Sequence, residues 1–269
     1  MTYGFLGAGN MAGAIIRSAL KAKTAQPADI YIYDKSDDIS DALSLSAGVI
    51  KTYSYKELTE KSDILFIAVK PQVGRELLPE ISALIQARNP IIVSMMAGIS
   101  IEKIESWLGF KPRLIRMMPN INAEICEGVT AVTTCSVLPD DLRAVCDMLS
   151  ASGMITTLEE RYFPVFTALA SSSPAFTCLY IDSLSRAAVR MGLDKSTALS
   201  IAAQAVIGTA KMLLETDIPP HTLVDRICSP GGMTIEGVCE LSDLGFESAI
   251  VRAVNACVAK DKVLLEKQS

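Results

Sequence analysis

A glycine-rich turn near the start of the chain constrains its fold more than any other segment. The short apolar run that ends at Leu6 leads into Gly7-Ala8-Gly9, and a helical pattern follows at once. Gly7 permits a tight turn, Gly9 permits close approach of the backbone to a pyrophosphate, and the small Ala12 lets the helix pack against the strand. The first N–H groups of that helix would face the phosphates. This strand–turn–helix order predicts a dinucleotide-binding unit, with a purely structural turn as the alternative.

The second predicted strand, 30–33, ends at the acidic residue Asp34. A carboxylate at this position can accept hydrogen bonds from the 2′-hydroxyl of an adenosine ribose, and it would repel a 2′-phosphate. Lys35 and Ser36 follow directly, and a cation next to a hydroxyl could bind that phosphate instead. The segment therefore predicts the adenosine end of a cofactor site and leaves the choice between the two cofactors open.

Short β-rich runs alternate with helical runs through the first half of the chain. The run 64–69 is continuously apolar, which is typical of a strand covered by helices on both faces. Such alternation predicts an α/β domain with a doubly wound, mostly parallel sheet of the Rossmann type. We expect strands at 2–6, 30–33, 64–69, 91–95, 113–117 and 129–133, and helices at 10–23, 36–47, 73–86, 101–107 and 140–150.

Strand signals disappear from about Glu159 onward, so we expect a Rossmann-type domain at 1–158 and an all-helical domain at 159–269. One helix, 195–215, is preceded by Asp194 as its N-cap and is apolar around nearly its whole circumference. Either its own neighbours or a second subunit must bury it, and the second is favoured because a domain of this size can hardly do so alone. Helices are expected at 162–170, 174–191, 195–215, 221–227, 233–241 and 246–267.

Composition argues against several classes of partner. The net charge of −5 and the isoelectric point of about 5.1 provide no basic surface for nucleic acid or an anionic membrane. The seven cysteines include no C-x-x-C pair, which indicates reduced thiols in a cytoplasmic protein without a metal site. The apolar stretch 198–214 is shorter than a membrane span requires and contains Gln204, Thr209 and Lys211. We therefore expect neither a membrane segment nor a signal peptide.

Four motifs in order give the chain a specific resemblance. They are Gly7-Ala8-Gly9-Asn10-Met11, Ala68-Val69-Lys70-Pro71-Gln72, Arg116-Met117-Met118-Pro119-Asn120 and Cys228-Ser229-Pro230-Gly231-Gly232-Met233-Thr234-Ile235. Over essentially its whole length the chain resembles the pyrroline-5-carboxylate reductase family, the NAD(P)H enzymes of the last step of proline synthesis. The resemblance implies a Rossmann domain followed by an all-helical domain that forms an intertwined dimer or a larger homo-oligomer. It also implies NADPH as the cofactor, with NADH possible.

The resemblance implies roles for particular residues. Thr234 would be the catalytic residue, because its hydroxyl can bond to the ring nitrogen of the substrate. The alternative for Thr234 is an N-cap in a plain loop, and the alternative for Lys70 is a solvated strand exit. The substrate would be held by Glu160, Ser229, Gly231, Gly232, Met233 and Thr234. The cofactor would be held by Leu6, Gly7, Gly9, Asn10, Met11, Asp34, Lys35, Ser36, Ala68, Val69, Lys70, Pro71, Ala97 and Gly98.

The expected chemistry needs no strong side-chain acid. A protonated imine is already an electrophile, so orientation and electrostatics would supply most of the catalysis. The sole histidine, His221, follows two prolines and has no evident partner. Met233, Ser171 and Tyr55 depart from the family pattern, and Met233 could narrow the substrate site. Two other functions remain open: a related imine or hydroxyacid dehydrogenase with a different substrate, and a dinucleotide-binding paralogue without turnover.

Overall fold

The computed structural model describes residues 1–268 and contains an eight-stranded sheet in its N-terminal part. The strand order is β3-β2-β1-β4-β5-β6-β7-β8, and every neighbouring pair is parallel except β6 with β7. The predicted doubly wound, mostly parallel sheet is thereby confirmed. The strands are β1 Tyr3–Leu6, β2 Ile30–Tyr33, β3 Ile50–Lys51, β4 Ile64–Ile67, β5 Ile91–Ser94, β6 Leu114–Met118, β7 Gly128–Cys135 and β8 Gly153–Thr157.

The register brings three strand ends to one edge of the sheet. Leu6 of β1 lies opposite Tyr33 of β2 and Ile67 of β4. The next residues continue this alignment, because the Gly7 N–H donates to the Tyr33 carbonyl at 2.8 Å and the Ala68 N–H donates to the Leu6 carbonyl at 2.8 Å. Open α/β sheets bind ligands at this carboxyl edge.

Helices cover both faces of the sheet and bury its central strands. Both Phe5 and Phe66 are fully buried, and their rings stack with centroids 4.4 Å apart. β4 is buried along its whole length, as its continuous apolar sequence predicts. The covering helices are α1 Asn10–Ala22, α2 Asp37–Ala47, α3 Tyr55–Lys61, α4 Pro71–Arg88, α5 Ile101–Leu108 and α6 Pro139–Leu149.

The rest of the chain is helical. A continuous helical stretch contains the short α7 Phe163–Phe166, a π-helical segment Thr167–Ser172 and α8 Ser173–Arg190. The helix predicted over 162–170 is present, but from Thr167 onward its backbone is π-helical, which the sequence did not predict. Four further helices follow: α9 Lys195–Thr216, α10 Pro220–Ile227, α11 Met233–Asp243 and α12 Phe246–Gln268.

The chain divides into two compact units. Unit 1 comprises residues 1–171 together with the chain from Val258 onward, and unit 2 is Ser172–Cys257. The division falls after Ser171, whereas the change from strands to helices lies near Glu159, because the first helical turns after β8 pack with the sheet. Phe163 and Phe166, for example, join a buried cluster with Ala131 of β7.

Unit 2 exposes large apolar side chains over most of its helices. On α9, Asp194 caps the first turn as predicted by accepting a hydrogen bond from the Thr197 N–H, but only Ala198 and Ala202 are buried. The alternative that the neighbouring helices of its own domain bury α9 is therefore wrong. The exposed apolar residues of unit 2 are Leu179, Tyr180, Leu184, Val189, Met191, Leu193, Leu199, Ile201, Ile207, Met212, Leu214, Ile227, Met233, Leu241, Leu244, Phe246, Ile250 and Val251.

The expectation that the stretch 198–214 is too short to span a membrane is wrong, because the helix α9 that contains it has 22 residues, and length and mean hydropathy alone would let it cross a membrane. A helix with this composition has three possible surroundings, namely the core of its own domain, lipid or a second protein surface. The first is excluded by the exposed fraction of α9. The same criterion identifies no other such helix within residues 1–268.

Three short elements were not predicted from the sequence. These are β3, which has only two residues, the seven-residue helix α3, and β8. β8 pairs with β7 and is only partly buried, with Met154 exposed on it. None of the three carries the long apolar run or clear period by which buried strands and longer helices are recognised.

Candidate functional site

The glycine turn after β1 has the geometry that a pyrophosphate requires. Gly7 has φ of 102°, and a Cβ atom there would lie 2.7 Å from the Ala68 carbonyl oxygen. Gly9 is the N-cap of α1 with φ of −69°, and no side chain caps the helix. A Cβ at Gly9 would meet nothing within 4 Å. The turn therefore leaves open space against the uncapped N–H groups of α1, which is the arrangement that binds phosphate.

Asp34 lies at the end of β2, and its carboxylate links two loops. Oδ2 accepts a hydrogen bond from the Ala8 N–H at 2.9 Å, and Oδ1 accepts one from the Ser36 N–H at 3.0 Å. Each oxygen can still accept a further bond from a ribose hydroxyl, since a carboxylate oxygen has two lone pairs. Asp34 thus fixes the glycine turn against the start of α2.

The start of α2 carries the residues predicted to distinguish the two cofactors. Lys35 is exposed, and Ser36 is the N-cap of α2 although its hydroxyl makes no capping bond. The acidic Asp37 in the first turn pairs with Lys51 at 2.8 Å, and Asp41 pairs with the same Lys51 at 2.6 Å. The Lys51 cation thereby offsets negative charge that would otherwise repel an anion at this helix end.

A cavity of about 560 Å³ opens beside this turn in unit 1. Tyr33 and Tyr55 both line it, and their rings meet edge to face with centroids 6.3 Å apart. Eight predicted cofactor residues line the cavity: Leu6, Gly7, Gly9, Asp34, Lys35, Ala68, Val69 and Lys70. Seven further lining residues were not predicted to bind the cofactor: Tyr33, Ile39, Tyr55, Val73, Glu76, Leu77 and Glu80.

The other predicted cofactor residues lie outside this cavity. Asn10 and Met11 form the first turn of α1, and Pro71 begins α4. Ala97 and Gly98 lie in the loop between β5 and α5, where Ala97 is exposed and Gly98 has φ of 72°. All these positions follow parallel strands or begin the helices after them, so they belong to the carboxyl edge of the sheet.

Arg116 and Glu160 form an ion pair in unit 1. The Arg116 Nη1 donates to Glu160 Oε1 at 2.6 Å, and the same oxygen accepts the Ile101 N–H at the start of α5 at 2.8 Å. Arg116 is only 8% exposed, and its guanidinium lies 4.5 Å from the centroid of the Phe163 ring. Burial raises the pKa of the nearby Asp261 carboxyl, and the attraction of Arg116 opposes that shift.

Asn120 supports the π-helical segment. Its side-chain amide donates to the Ala170 carbonyl at 2.9 Å, and its oxygen accepts the Val129 N–H at 3.0 Å. The Ser171 hydroxyl donates to the Pro119 carbonyl at 3.4 Å. The Asn120 amide thereby binds a backbone carbonyl inside the π-helical segment. The Arg116–Asn120 motif therefore makes supporting contacts at both of its ends.

The predicted substrate loop lies in unit 2 as a tight turn before α11. The Gly232 N–H donates to the Ser229 carbonyl at 3.0 Å, and Gly231 has φ of 67°. With Pro230 in the second position, this is the pattern of a type II turn. A Cβ on Gly232 would collide with the Ser229 hydroxyl. The positive φ therefore favours glycine at 231, whereas a side chain at 232 would require the Ser229 hydroxyl to move.

Helix α11 begins at Met233 with Gly232 as its N-cap. The alternative that Thr234 caps the helix is therefore wrong, because Thr234 is the second residue inside it. Met233 is 93% exposed and Thr234 is also exposed within one chain. The uncapped first turn of α11 presents backbone N–H groups that can bind a carboxylate.

The sole histidine and the cysteines have no catalytic role predicted from the sequence. His221 is exposed at the start of α10. Among residues 1–268, no cluster of His, Cys, Asp and Glu side chains is arranged to hold a metal ion. The seven cysteines are free thiols in the part of the chain that the structure describes.

Comparison with known proteins gives a consistent result along the chain. Residues 160–264 match a family model described as pyrroline-5-carboxylate reductase dimerisation, and residues 2–98 match one described as NADP oxidoreductase, coenzyme F420-dependent. The pyrroline-5-carboxylate reductase of Escherichia coli is 35% identical over 262 residues, which cover 97% of each chain. The enzyme of Aquifex aeolicus is 36% identical over 265 residues, covering 98% of this chain and 97% of the relative.

Solved structures agree with the sequence relatives. A pyrroline-5-carboxylate reductase from Coxiella burnetii superposes with a TM-score of 0.91 at 29% identity, covering 98% of both chains. A pyrroline carboxylate reductase from Plasmodium falciparum, solved with NADP bound, gives 0.88 at 27% identity and covers 98% of this chain and 97% of its own. With relatives above 30% identity over nearly their full length and a dimerisation model matched over residues 160–264, the chain belongs to the pyrroline-5-carboxylate reductase family.

Proposed function

We propose that this protein reduces 1-pyrroline-5-carboxylate to L-proline with NAD(P)H, the last step of proline biosynthesis. The observation that carries the proposal is the pairing of two glycine turns in one chain of this family. One turn leaves space for a pyrophosphate at Gly9, and the other presents the start of α11 to an anion. We assign cofactor binding to residues 1–158, and substrate binding and assembly to residues 159–269.

The cofactor would lie along the carboxyl edge of the sheet. Its pyrophosphate would meet Gly7, Gly9, Asn10 and Met11, where the N–H groups of α1 are uncapped. Its adenosine end would occupy the cavity lined by Asp34, Lys35 and the Tyr33–Tyr55 pair, with Ser36 beside it. Its nicotinamide end would lie along the segments Ala68–Pro71 and Ala97–Gly98. When bound, the reduced cofactor supplies hydride to the C=N carbon.

The substrate would be held by the turn before α11. The N–H groups of Gly231, Gly232 and Met233 would bind its carboxylate, with Ser229 supporting the turn. Thr234 lies in the first turn of α11 and is not its N-cap. Its hydroxyl would form a hydrogen bond with the ring nitrogen as hydride is transferred. A protonated imine is already electrophilic, so binding and electrostatics supply the catalysis without a strong side-chain acid.

A direct assay tests this function. Purified protein is mixed with pyrroline-5-carboxylate, and the loss of reduced-cofactor absorbance is followed separately with NADH and NADPH. Formation of proline in equal amount confirms the reaction. Turnover of a 2-keto acid but not the imine would instead indicate a hydroxyacid dehydrogenase, and cofactor binding without turnover of either would indicate a non-catalytic paralogue.

We expect Lys35 to favour NADPH over NADH. Lys35→Ala should raise the Kd for NADPH by about tenfold, the loss of about 1.4 kcal/mol, because one charge-assisted contact with the 2′-phosphate disappears. The Kd for NADH should change little. Isothermal titration with both cofactors measures this, and Lys56→Ala, which removes an exposed lysine outside the cavity, is the control. Equal losses for both cofactors would place Lys35 away from the phosphate.

We also propose that unit 2 forms the interface of a cytoplasmic homodimer or larger homo-oligomer. Its exposed apolar surface, with Leu214 of α9 at 80% exposure, resembles a domain core cut in half, which is typical of obligate interfaces. The match of residues 160–264 to a dimerisation family supports a protein partner for α9 over lipid. The seven free thiols fit a reducing compartment.

Sedimentation velocity at low micromolar concentration should therefore show no monomer. Ile201→Glu places a charge on the exposed apolar face of α9, so it should dissociate the oligomer and lower its Tm. Leu45→Glu, at an apolar and even more exposed position on α2 of unit 1, should leave the oligomer intact. A stable, folded wild-type monomer, or a protein that needs detergent to leave the membrane fraction, would contradict the proposal.

A further inference from the structure

The loop between β5 and α5 is held at both of its ends. At its beginning, the Met95 N–H donates to the Ile67 carbonyl of β4 at 3.0 Å. At its end, the Ile101 N–H donates to Glu160 Oε1 at 2.8 Å, while Ser100 caps the Lys103 N–H at 3.2 Å. Glu160 lies 59 residues further along the chain, so it ties a distant segment to the start of α5.

Arg116 fixes the direction of the Glu160 carboxylate. Its Nη1 donates to the same Oε1 atom at 2.6 Å, and its side chain is only 9% exposed. The guanidinium also lies against the Phe163 ring, 4.5 Å from its centroid. A buried cation with two fixed neighbours gives the carboxylate one stable orientation, and that orientation points Oε1 at α5.

We propose that Glu160, oriented by Arg116, is a positioning residue that holds the loop carrying Ala97 and Gly98 in the geometry needed for reduction. The inference rests on the proposed function, in which that loop lies along the nicotinamide end of the cofactor. It assigns Glu160 a role through backbone and guanidinium contacts, in place of the direct substrate contact expected from the sequence. A small displacement of such a loop lowers the rate because hydride transfer depends on the distance and alignment of the reacting atoms.

Three substitutions at Glu160 separate these roles. Glu160→Leu removes the acceptor for both donors, Glu160→Gln keeps a neutral acceptor oxygen in the same place, and Glu160→Asp keeps the charge on a shorter side chain. The matched control is Glu159→Leu, because Glu159 pairs with Arg161 at 2.9 Å and both side chains are 67% exposed. The sole tryptophan, Trp107, lies on α5 itself, so energy transfer from Trp107 to bound NADPH reports on this helix and its cofactor.

We expect Glu160→Leu to lower kcat by about tenfold and to weaken NADPH binding measured through Trp107, while the KM for pyrroline-5-carboxylate changes by less than about twofold. Glu160→Gln, which keeps an acceptor oxygen, should recover most of the kcat and NADPH binding lost in Glu160→Leu, and Glu159→Leu should stay close to wild type in all three quantities. A carboxylate that touched substrate would instead show the same increase in the KM for the imine in the Gln and Leu variants, and this outcome overturns the proposal. A variant that loses Tm alone, with unchanged kcat and NADPH binding, also overturns it.

The test still distinguishes the outcomes if one variant fails to fold or if the wild-type protein lacks the proposed activity. If Glu160→Leu does not fold, Glu160→Asp replaces it and should lower kcat several-fold, and wild-type kinetics in that variant would overturn the proposal. If the wild-type protein does not reduce pyrroline-5-carboxylate, the proposed function fails. The comparison of NADPH binding between the Glu160 and Glu159 variants still decides whether Glu160 positions the loop, since it needs no substrate.

Discussion

Thr234→Ala should lower kcat/KM for pyrroline-5-carboxylate by roughly ten- to a hundredfold. The lost hydroxyl would bond to the ring nitrogen most strongly in the transition state, and a polar contact of this kind contributes about 1.5–3 kcal/mol. NADPH affinity should hardly change, because the proposed dinucleotide contacts lie in unit 1 and Thr234 lies in unit 2. Steady-state kinetics and cofactor titration on the same variant measure both quantities.

Two companion variants isolate the hydroxyl of Thr234. Thr234→Ser should recover much of the rate because it restores a donor and acceptor. Thr222→Ala removes another exposed threonine of unit 2 and should have wild-type kinetics. Because Gly232, and not Thr234, is the N-cap of α11, the Tm of Thr234→Ala should also stay near that of wild type. A fully active alanine variant would remove Thr234 from the chemistry.

Gly9→Ala should abolish most NADPH binding without destabilising the protein. The backbone at Gly9 is in a conformation that alanine adopts freely, and the added methyl group would meet no protein atom within 4 Å. It would instead occupy the space through which the pyrophosphate approaches, so we expect the Kd to rise by at least about tenfold. Titration with NADPH and thermal melting of the free protein measure the two effects separately.

Gly7→Ala provides the contrast within the same turn. Its φ of 102° is unfavourable for alanine, and the Cβ would lie 2.7 Å from a backbone oxygen. This variant should lose Tm as well as cofactor binding, because the conformation alone costs about 1–2 kcal/mol and the contact adds to it. If Gly9→Ala binds NADPH as wild type does, the pyrophosphate does not pass that position.

Local sequence patterns predicted the parts of this fold that depend on local physics. The turn at Gly7 and Gly9 depends on residues that are adjacent in the sequence, and the buried strand β4 is recognisable as an uninterrupted apolar run. The two-residue strand β3 is held by pairing with β2, which leaves too little sequence to form a pattern. The π-helical segment depends on Asn120, fifty residues away from the Ala170 carbonyl that it contacts, and no local periodicity reports such a contact.

The candidate site likewise contains residues that could be identified from the sequence and a contact that could not. Gly231 was identifiable because its φ of 67° favours glycine, and Gly232 follows it directly in the same motif. The ion pair of Arg116 and Glu160 could not be identified from the sequence. The two residues are 44 positions apart, and neither local segment has a pattern that indicates the contact. Arg116 did stand within a motif shared with the family, but only the folded chain shows that its partner is Glu160.

The double duty of Asp34 limits how the cofactor preference of this protein can change. In the proposed cofactor site the Asp34 carboxylate contacts the ribose, and in the structure it accepts hydrogen bonds from the Ala8 and Ser36 N–H groups. Replacing it to admit a 2′-phosphate would loosen the phosphate-binding turn in the same step. Substitutions at Lys35 and Ser36 would therefore change the cofactor preference at a lower cost in stability. They replace side chains only, and the hydrogen bonds from the Ala8 and Ser36 N–H groups to Asp34 are retained.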